Sequence, residues 1–553
     1  MRTGVSVGGQ SLASYSYTTD GYNRLSALDF GNEDRVIYTY NSDGNLKKQV
    51  YEDGVQIQYK YNKDTSLAAV TDSATGISTR YYYDFTERLS KITESGTNHS
   101  FSKTYSYDSS NRLTKISEVL NGDTRNSVYT YDDDNRITTY KKGNISQTYT
   151  YDGFGRNSKK VVKNGDSTLL TTTNTFRTVN GNATGQIATL QNEATSYDVT
   201  YIYTYDANGN ILSVSDGTYT TSYEYDQSNQ LVRENHQREQ DSYTYVWVYD
   251  TAGNILSRTK YPYSTGELGS PAETVNYTYG NTNWGDQLTG LTIQTFTNDQ
   301  VSTRSFTYAY DDIGNPLCEE IGDSANEYKR TYSWQHGRQL ATLTQNGVTW
   351  TNTYNADGLR FKRTDGTNTY QYYYSDGNLI SLTYNGTKLY FSHTPEGLPY
   401  NVEYQGTQYV YVLNQQGDVI AILNAAGVAV VEYTYDAWGN ILDIEGSMAS
   451  TLGQLNPLRY RGYVYDNETQ LYYLQSRYYD PEIGRFINAD GQISAPGSAV
   501  LGNNMYAYCF NNPVNASDPT GNWGEWLKNI ATKVQTAVSN TVKAVKDWAY
   551  SAY

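Results

Sequence analysis

The stretch from Thr200 to Val214 reads TYIYTYDANGNILSV. Tyr203 and Tyr205 are two residues apart, so in a strand both point to one face. Asp206 follows, where a carboxylate accepts bonds from backbone N–H groups further along a turn. Gly209 suits the φ > 0 position of a loop built around a type I turn. Ile211 restarts an alternating strand. The stretch reads as one β-hairpin.

The same phrase, aromatic-x-Tyr-Asp/Asn-x-x-Gly/Asn-Asn/Arg-Leu/Ile, recurs along the chain. Its first aromatic falls at Tyr38, Tyr59, Tyr81, Tyr105, Tyr129, Tyr149, Tyr203, Tyr223, Trp247, Tyr308, Tyr332, Tyr372 and Tyr433. Looser copies begin near Tyr15, Asn352 and Tyr409, and longer insertions or degraded copies fill about 157–200 and 258–305. One hairpin alone is marginal, so neighbouring copies must stabilise each other. Consecutive hairpins make one continuous antiparallel sheet, with Tyr expected beside Tyr across strands at roughly 0.2–1 kcal/mol per pair. A sheet of that length must curl, split or close, and an open flat edge would invite aggregation. The expected fold is therefore all-β, a wound and barrel-like array of antiparallel hairpins.

Composition agrees. The 553 residues include 60 Tyr and 46 Gly but 10 Pro and 3 Met. Tyr favours strands and Gly favours turns. The net charge of −16 lacks the basic footprint of nucleic-acid binding. Two cysteines, Cys318 and Cys509, make no disulfide framework, and spacing leaves open whether they pair. His99, His236, His336 and His393 have no metal-ligand spacing, so neither a metal nor a cofactor is expected. The start, MRTGVSVGGQSLASYSYTTDG, has no charged segment followed by an apolar run, so no signal peptide is expected in this chain. Repeats begin at Tyr15, which reads as the C-terminal piece of something longer.

The phrase resembles the YD repeats of bacterial RHS and wall-associated proteins and of animal teneurins. The resemblance covers about residues 15–521 and implies hairpins spiralling into a hollow shell. Tyrosine-rich repeats also occur in cell-wall-binding arrays, which keeps a glycan- or wall-binding module as an alternative. Those arrays favour a Trp-Tyr-Tyr centre, and this chain has 8 Trp and no such regular unit.

A different text runs from Asn456 to Gly491, NPLRYRGYVYDNETQLYYLQSRYYDPEIGRFINADG. It resembles the RHS repeat-associated core, with Gln470 where Gly is usual. NNMYAYCFNNPVNASDPTG, Asn503 to Gly521, resembles the family's closing segment. In members carrying a C-terminal toxin, this block implies an aspartyl self-protease with two Asp and an assisting Arg. The matching positions are Arg477, Asp490 and Asp518, with a cut expected near Asn522–Trp523. Two carboxylates held close cannot both ionise comfortably, so one acts as acid and its partner as base. Asp490 is followed by Gly491 rather than Pro, and Asn522 stands where the family has Leu. The competing reading makes Asp490 and Asp518 turn residues.

From Gly524 to Tyr553, Leu527, Ile530, Val534, Val538, Val542, Val545 and Trp548 recur at three and four, an amphipathic helix. It reads as a helix docking on the shell, with membrane contact through its lysine face as the alternative. No catalytic cluster appears there, so no toxin activity is expected. The chain thus divides into a repeat shell (1–455), a core closing it (456–521) and a tail or truncated effector linker (522–553). The resemblance implies a structural shell that encapsulates or presents a C-terminal effector or cargo polypeptide, outside the cell or at a bacterial surface, with cell-surface glycans as a further expected partner.

Overall fold

The computed structural model describes residues 3–239, 241–298, 300–321, 329–491 and 500–522. The expected helix within 522–553 lies outside the described residues beyond Asn522. One sheet of 39 strands runs from Gly4 to Glu445. Each strand pairs antiparallel with the next in sequence, as Tyr197–Tyr205 pairs with Ile211–Ser215 and that strand with Thr220–Tyr225. The two repeat-poor gaps belong to the same sheet. The first holds a long hairpin, Ser167–Val179 against Asn182–Ala194, and the second the strands Glu273–Thr278 and Gly290–Thr297.

The repeat's letters have local causes. Asp108 Oδ1 accepts the N–H groups of Ser110 and Arg112, both at 2.9 Å, and Oδ2 accepts Arg112 Nε at 2.7 Å. These bonds, the Arg112 N–H first, hold the Asp108 carboxyl below its ordinary range. Asn111 carries the turn's positive φ of 63°. The Arg112 guanidinium lies over the Tyr131 ring at 5.0 Å, and the Tyr131 hydroxyl donates to the Leu113 carbonyl at 2.6 Å. The same hydroxyl clamp recurs from Tyr83 to Leu67, Tyr107 to Leu89, Tyr205 to Ile187 and Tyr249 to Leu231. In these copies the second tyrosine of the phrase thus ties its hairpin to the one before.

Tyr beside Tyr across strands is the exception. Tyr129 faces Tyr140, but Tyr59 faces Val70, Tyr81 faces Ile92 and Tyr203 faces Val214. In those three copies the register pairs the first tyrosine with an aliphatic residue, whereas Tyr38 faces Gln49, Tyr149 faces Lys160, Tyr223 faces Glu234 and Tyr308 faces Glu319.

The ribbon overlaps itself. Gln10 reaches Asp312, Lys103 reaches Ser375 and Asn192 reaches Leu413. In the first winding (4–205) the tyrosine face packs on the back of the last winding (329–445). Tyr140, Ile145, Tyr149 and Val162 meet Tyr400, Val410, Val412 and Ala421 there. The tyrosine face of the last winding packs in turn on residues 456–487, through Tyr354, Tyr372, Tyr411 and Val431.

A second, four-stranded sheet occupies the centre: Val464–Asp466, Leu471–Leu474, Arg477–Asp480 and Arg485–Phe486. Its side chains alternate between two walls. Tyr472, Leu474 and Tyr479 join Tyr203, Leu231, Trp247 and Ile255. Leu471, Tyr473 and Tyr478 join the last winding. The core block is therefore a plug gripped by ribbon on both sides. Cys318 and Cys509 are both free thiols.

Candidate functional site

The plug is tied to the windings by its charged and amide residues. Arg360 and Asp466, both buried, pair at 2.7 Å between Nη2 and Oδ1. Burial pushes the Asp466 carboxyl up, but the Arg360 and Arg363 charges outweigh it and hold it below the usual range. Arg485 donates to Tyr279 Oη at 2.6 Å, and Arg461 pairs with Asp418 at 3.1 Å. Asn511 Nδ2 donates to Gln230 Oε1 at 2.9 Å and to the Gly253 carbonyl at 2.7 Å. The closing segment thus sits on the turns of the middle winding (206–321).

The three residues singled out from the sequence come together. Arg477 opens a strand of the plug, Asp490 follows the strand Arg485–Phe486, and Asp518 sits in the closing segment. Arg477 Nη2 lies 3.1 Å from Asp490 Oδ2 and 3.3 Å from Asp518 Oδ2. All three are buried, Asp518 completely. The guanidinium is fixed by stacking 3.5 Å above the Phe486 ring and by donating from Nη1 to the Met505 carbonyl at 3.1 Å. The Asp490 N–H donates to the same carbonyl at 2.8 Å. Burial pushes the Asp518 carboxyl up to about 6; Arg477 opposes that shift and the Asp490 charge adds to it.

The chain leaving the site is pinned. The Thr520 carbonyl accepts the Ser476 N–H at 3.2 Å and its Oγ–H at 2.7 Å. Arg477 Nε donates to the Gly521 carbonyl, and the Asn522 N–H donates to Asp518 Oδ1 at 3.1 Å. Gly521 has φ +68°, and a Cβ there would stand 2.7 Å from the Leu474 carbonyl oxygen, so glycine is required. The Asp518 N–H donates to Tyr463 Oη at 2.8 Å, and that hydroxyl meets Tyr508 Oη at 3.2 Å.

Sequence reasoning did not find Ser476, Tyr463 or Phe486 as neighbours of these acids. Ser476 lies beside Arg477 in sequence, which was a usable signal; the other two are brought in by packing. Asp518 opens a turn, its carbonyl accepting the Gly521 N–H, while Asp490 is tied across to Met505, and both carboxylates face one guanidinium. Among the described residues no group of three or more His, Cys, Asp or Glu is placed to hold a metal ion.

Comparison with known proteins gives the arrangement its setting. A family model described as Teneurin YD-shell matches residues 387–514. The tRNA3(Ser)-specific nuclease WapA of Bacillus spizizenii is 36% identical over 217 residues, 38% of this chain and 9% of that protein. The toxin protein Tse5 of Pseudomonas aeruginosa is 45% identical over 65 residues, 12% of this chain and 5% of that protein. The match thus spans about a tenth of the length of the WapA relatives. Among solved structures, TcdB2-TccC3 without its hypervariable C-terminal region is similar at a TM-score of 0.42 and 16% identity, covering 94% of this chain and 31% of that one. In its tandem YD hairpins, its core block and its YD-shell segment, the chain is similar to the RHS and teneurin-like YD-repeat proteins.

Proposed function

We propose that this chain is a structural shell that encloses or presents the polypeptide continuing from its core block, in toxin delivery or contact at a bacterial cell surface. One observation carries the reading: the chain reaches Asn522 through a fully buried Asp518, inside a plug that the windings grip on two sides. The polypeptide continuing from Asn522 therefore departs directly beside the core block, to which Asn522 is bonded. The relatives named for nuclease and toxin activity are far longer than this chain, which fits a shell segment serving an effector rather than an effector itself. Limited trypsin digestion of the full chain, followed by mass spectrometry, tests it. Residues 523–553 carry Lys528, Lys533, Lys543 and Lys546 as cleavage points. Enclosure predicts that they outlast the same peptide digested free; equal rates would refute it.

A second reading is favoured by the site geometry. Two buried carboxylates on one guanidinium, beside a pinned exit segment, could supply the acid and the base for hydrolysis of the chain's own backbone. Asp518 acts as the acid, Asp490 as the base, and Arg477 steadies both. Incubation of purified protein should release a C-terminal fragment, and Asp518→Asn should abolish the release. An intact chain after prolonged incubation at pH 5 to 8 would reject the reading.

A further inference from the structure

We infer that the outer face of the first winding is a docking track for a linear phosphate polymer, formed by a row of lysines set one to a hairpin. Lys48, Lys60, Lys91, Lys115 and Lys159 hold the same place in successive copies. Each sits in the last register pair before the bulge at its hairpin's turn, opposite Thr39, Ala69, Tyr82, Ser106 and Thr150 respectively. One hairpin between Lys115 and Lys159 has Thr130 facing Thr139 there instead. Neither enclosure nor self-cleavage is needed for this role.

Strand alternation turns these lysines away from the tyrosine face. Four of them are exposed and Lys48 is half-buried. None of the five makes an ion pair among the described residues. The row runs from the fifth strand to the fifteenth. At about 4.8 Å per strand, each hairpin advances it by about 10 Å and the whole spans about 48 Å along the ribbon.

The carboxylates of the same strands are all on the other face. Asp72, Glu94, Glu118 and Asp123 stand opposite the buried Ile57, Phe101, Lys103 and Leu120. A chain of net charge −16 thus keeps one outer face free of strand carboxylates. Exposure alone does not demand such a row. In the middle winding the equivalent pairs Thr204–Ser213, Val248–Ser257 and Ala309–Cys318 carry no ammonium, although Val248 is 49% exposed. Arg233 occurs there opposite Glu224 and pairs with it at 3.6 Å.

Charge and spacing select the occupant. An ammonium is a compact point charge suited to phosphate oxygens. Hydroxyls of Thr39, Ser106 and Thr150 stand beside the lysines to donate between them. A single file of cations matches one strand of polymer. Tyr82 is the one ring on the row, so successive nucleobases would have nothing to stack on. The row lacks the apolar side needed to sink into a bilayer.

The test titrates labelled inorganic polyphosphate with the full chain. Neutralising five phosphates predicts binding that weakens about 100-fold between 50 and 200 mM salt. Replacing the row by glutamine (Lys48→Gln, Lys60→Gln, Lys91→Gln, Lys115→Gln and Lys159→Gln) should weaken binding by about 100-fold or more at low salt, with thermal melting unchanged. Arginine at the same five positions should restore it. Lys388→Gln, at an exposed lysine off the row, should leave it at the parental value. Parental affinity in the fivefold glutamine variant, or no salt-dependent binding of polyphosphate, would overturn the proposal. So would tighter binding of single-stranded DNA of equal charge, which would make the face a nucleic-acid surface, or capture by phosphatidylglycerol vesicles alone, which would make it a membrane surface.

Discussion

The free rim and the covered rim of the ribbon carry different residues at the same position of the repeat. Four places after the turn aspartate, the first winding has Arg24, Arg88, Arg112, Arg136 and Arg156. The Arg112 side chain is 26% exposed. Where the plug or another winding covers the turns, the position holds Asn210, Gln230, Asn254, Asn315 and Asn440, four of them buried. The amide still binds the aspartate, as Asn254 Nδ2 does to Asp250 Oδ2 at 2.9 Å. Its oxygen then takes a partner from the plug, Asn504 Nδ2 at 2.8 Å. A charge can stay hydrated at a free rim, whereas a covered rim needs a neutral group that bonds on two sides.

The strands differ in the same sense. Asp123–Tyr131 of the first winding alternates, with Thr130 exposed and Tyr129 and Tyr131 half-buried. Thr407–Leu413 of the last winding buries Tyr409, Val410, Tyr411 and Val412 in succession, because it has ribbon on one face and plug on the other. Layering adds hydrophobicity to the second face of a strand.

These contrasts can be broken by substitution. The largest effect is expected between the last winding and the plug. Arg360→Ala leaves Asp466 buried without its nearest partner and should cost about 3–5 kcal/mol, read from chemical denaturation. Next come the rims. Asn254→Arg forces a charge under the plug and should destabilise by about 2–4 kcal/mol, whereas Arg112→Asn at the free rim should stay within about 1 kcal/mol. Equal effects would show that the two rims do not differ in burial. Smaller again, Tyr107→Phe deletes one hydroxyl clamp to Leu89 and should cost about 1 kcal/mol.

Acidity sharpens the comparison around the plug. Burial first, in each case, raises Asp480 and Asp518 to about 6 and Glu319 to about 7, from 3.8 for the two aspartates and 4.5 for the glutamate. The folded protein therefore binds protons more tightly than the unfolded chain between those limits. The contribution of these groups is fully present below pH 4 and is lost as pH rises through 6 to 7. Buried His236 and His393, lowered to about 3, act in the opposite sense below pH 6.5, so the acids are isolated by substitution. Glu319→Gln, which keeps the shape but removes one titrating group, should raise Tm at pH 8 relative to pH 5 when compared with the parent.

The hairpins, the turn aspartate and the positive-φ turn position were legible in the sequence because they are local. Asp206 does accept the Asn210 N–H at 2.8 Å, and Gly209 has φ +92°. The grouping of Arg477, Asp490 and Asp518 came only from a family motif, since 41 residues separate Arg477 from Asp518 and no local pattern joins them. The hydroxyl clamps were missed because their acceptor is a backbone carbonyl that leaves no letter in the sequence. Overlap of the windings was missed although runs such as YVYVL and VIAIL carried it, being apolar on both faces. The Asn511 and Asn515 contacts span 281 and 304 residues, and only the fold makes them neighbours.

The central claim is that one hairpin ribbon winds around the core block and encloses it. Hydrogen exchange followed by mass spectrometry tests this directly. Amides of the plug strands between Val464 and Phe486, and of the last winding between Thr407 and Tyr435, should exchange slowest and together. Those of the first winding between Arg35 and Tyr83 should open earlier. A plug that exchanges as fast as the first winding, or opens independently of the last, would contradict the account.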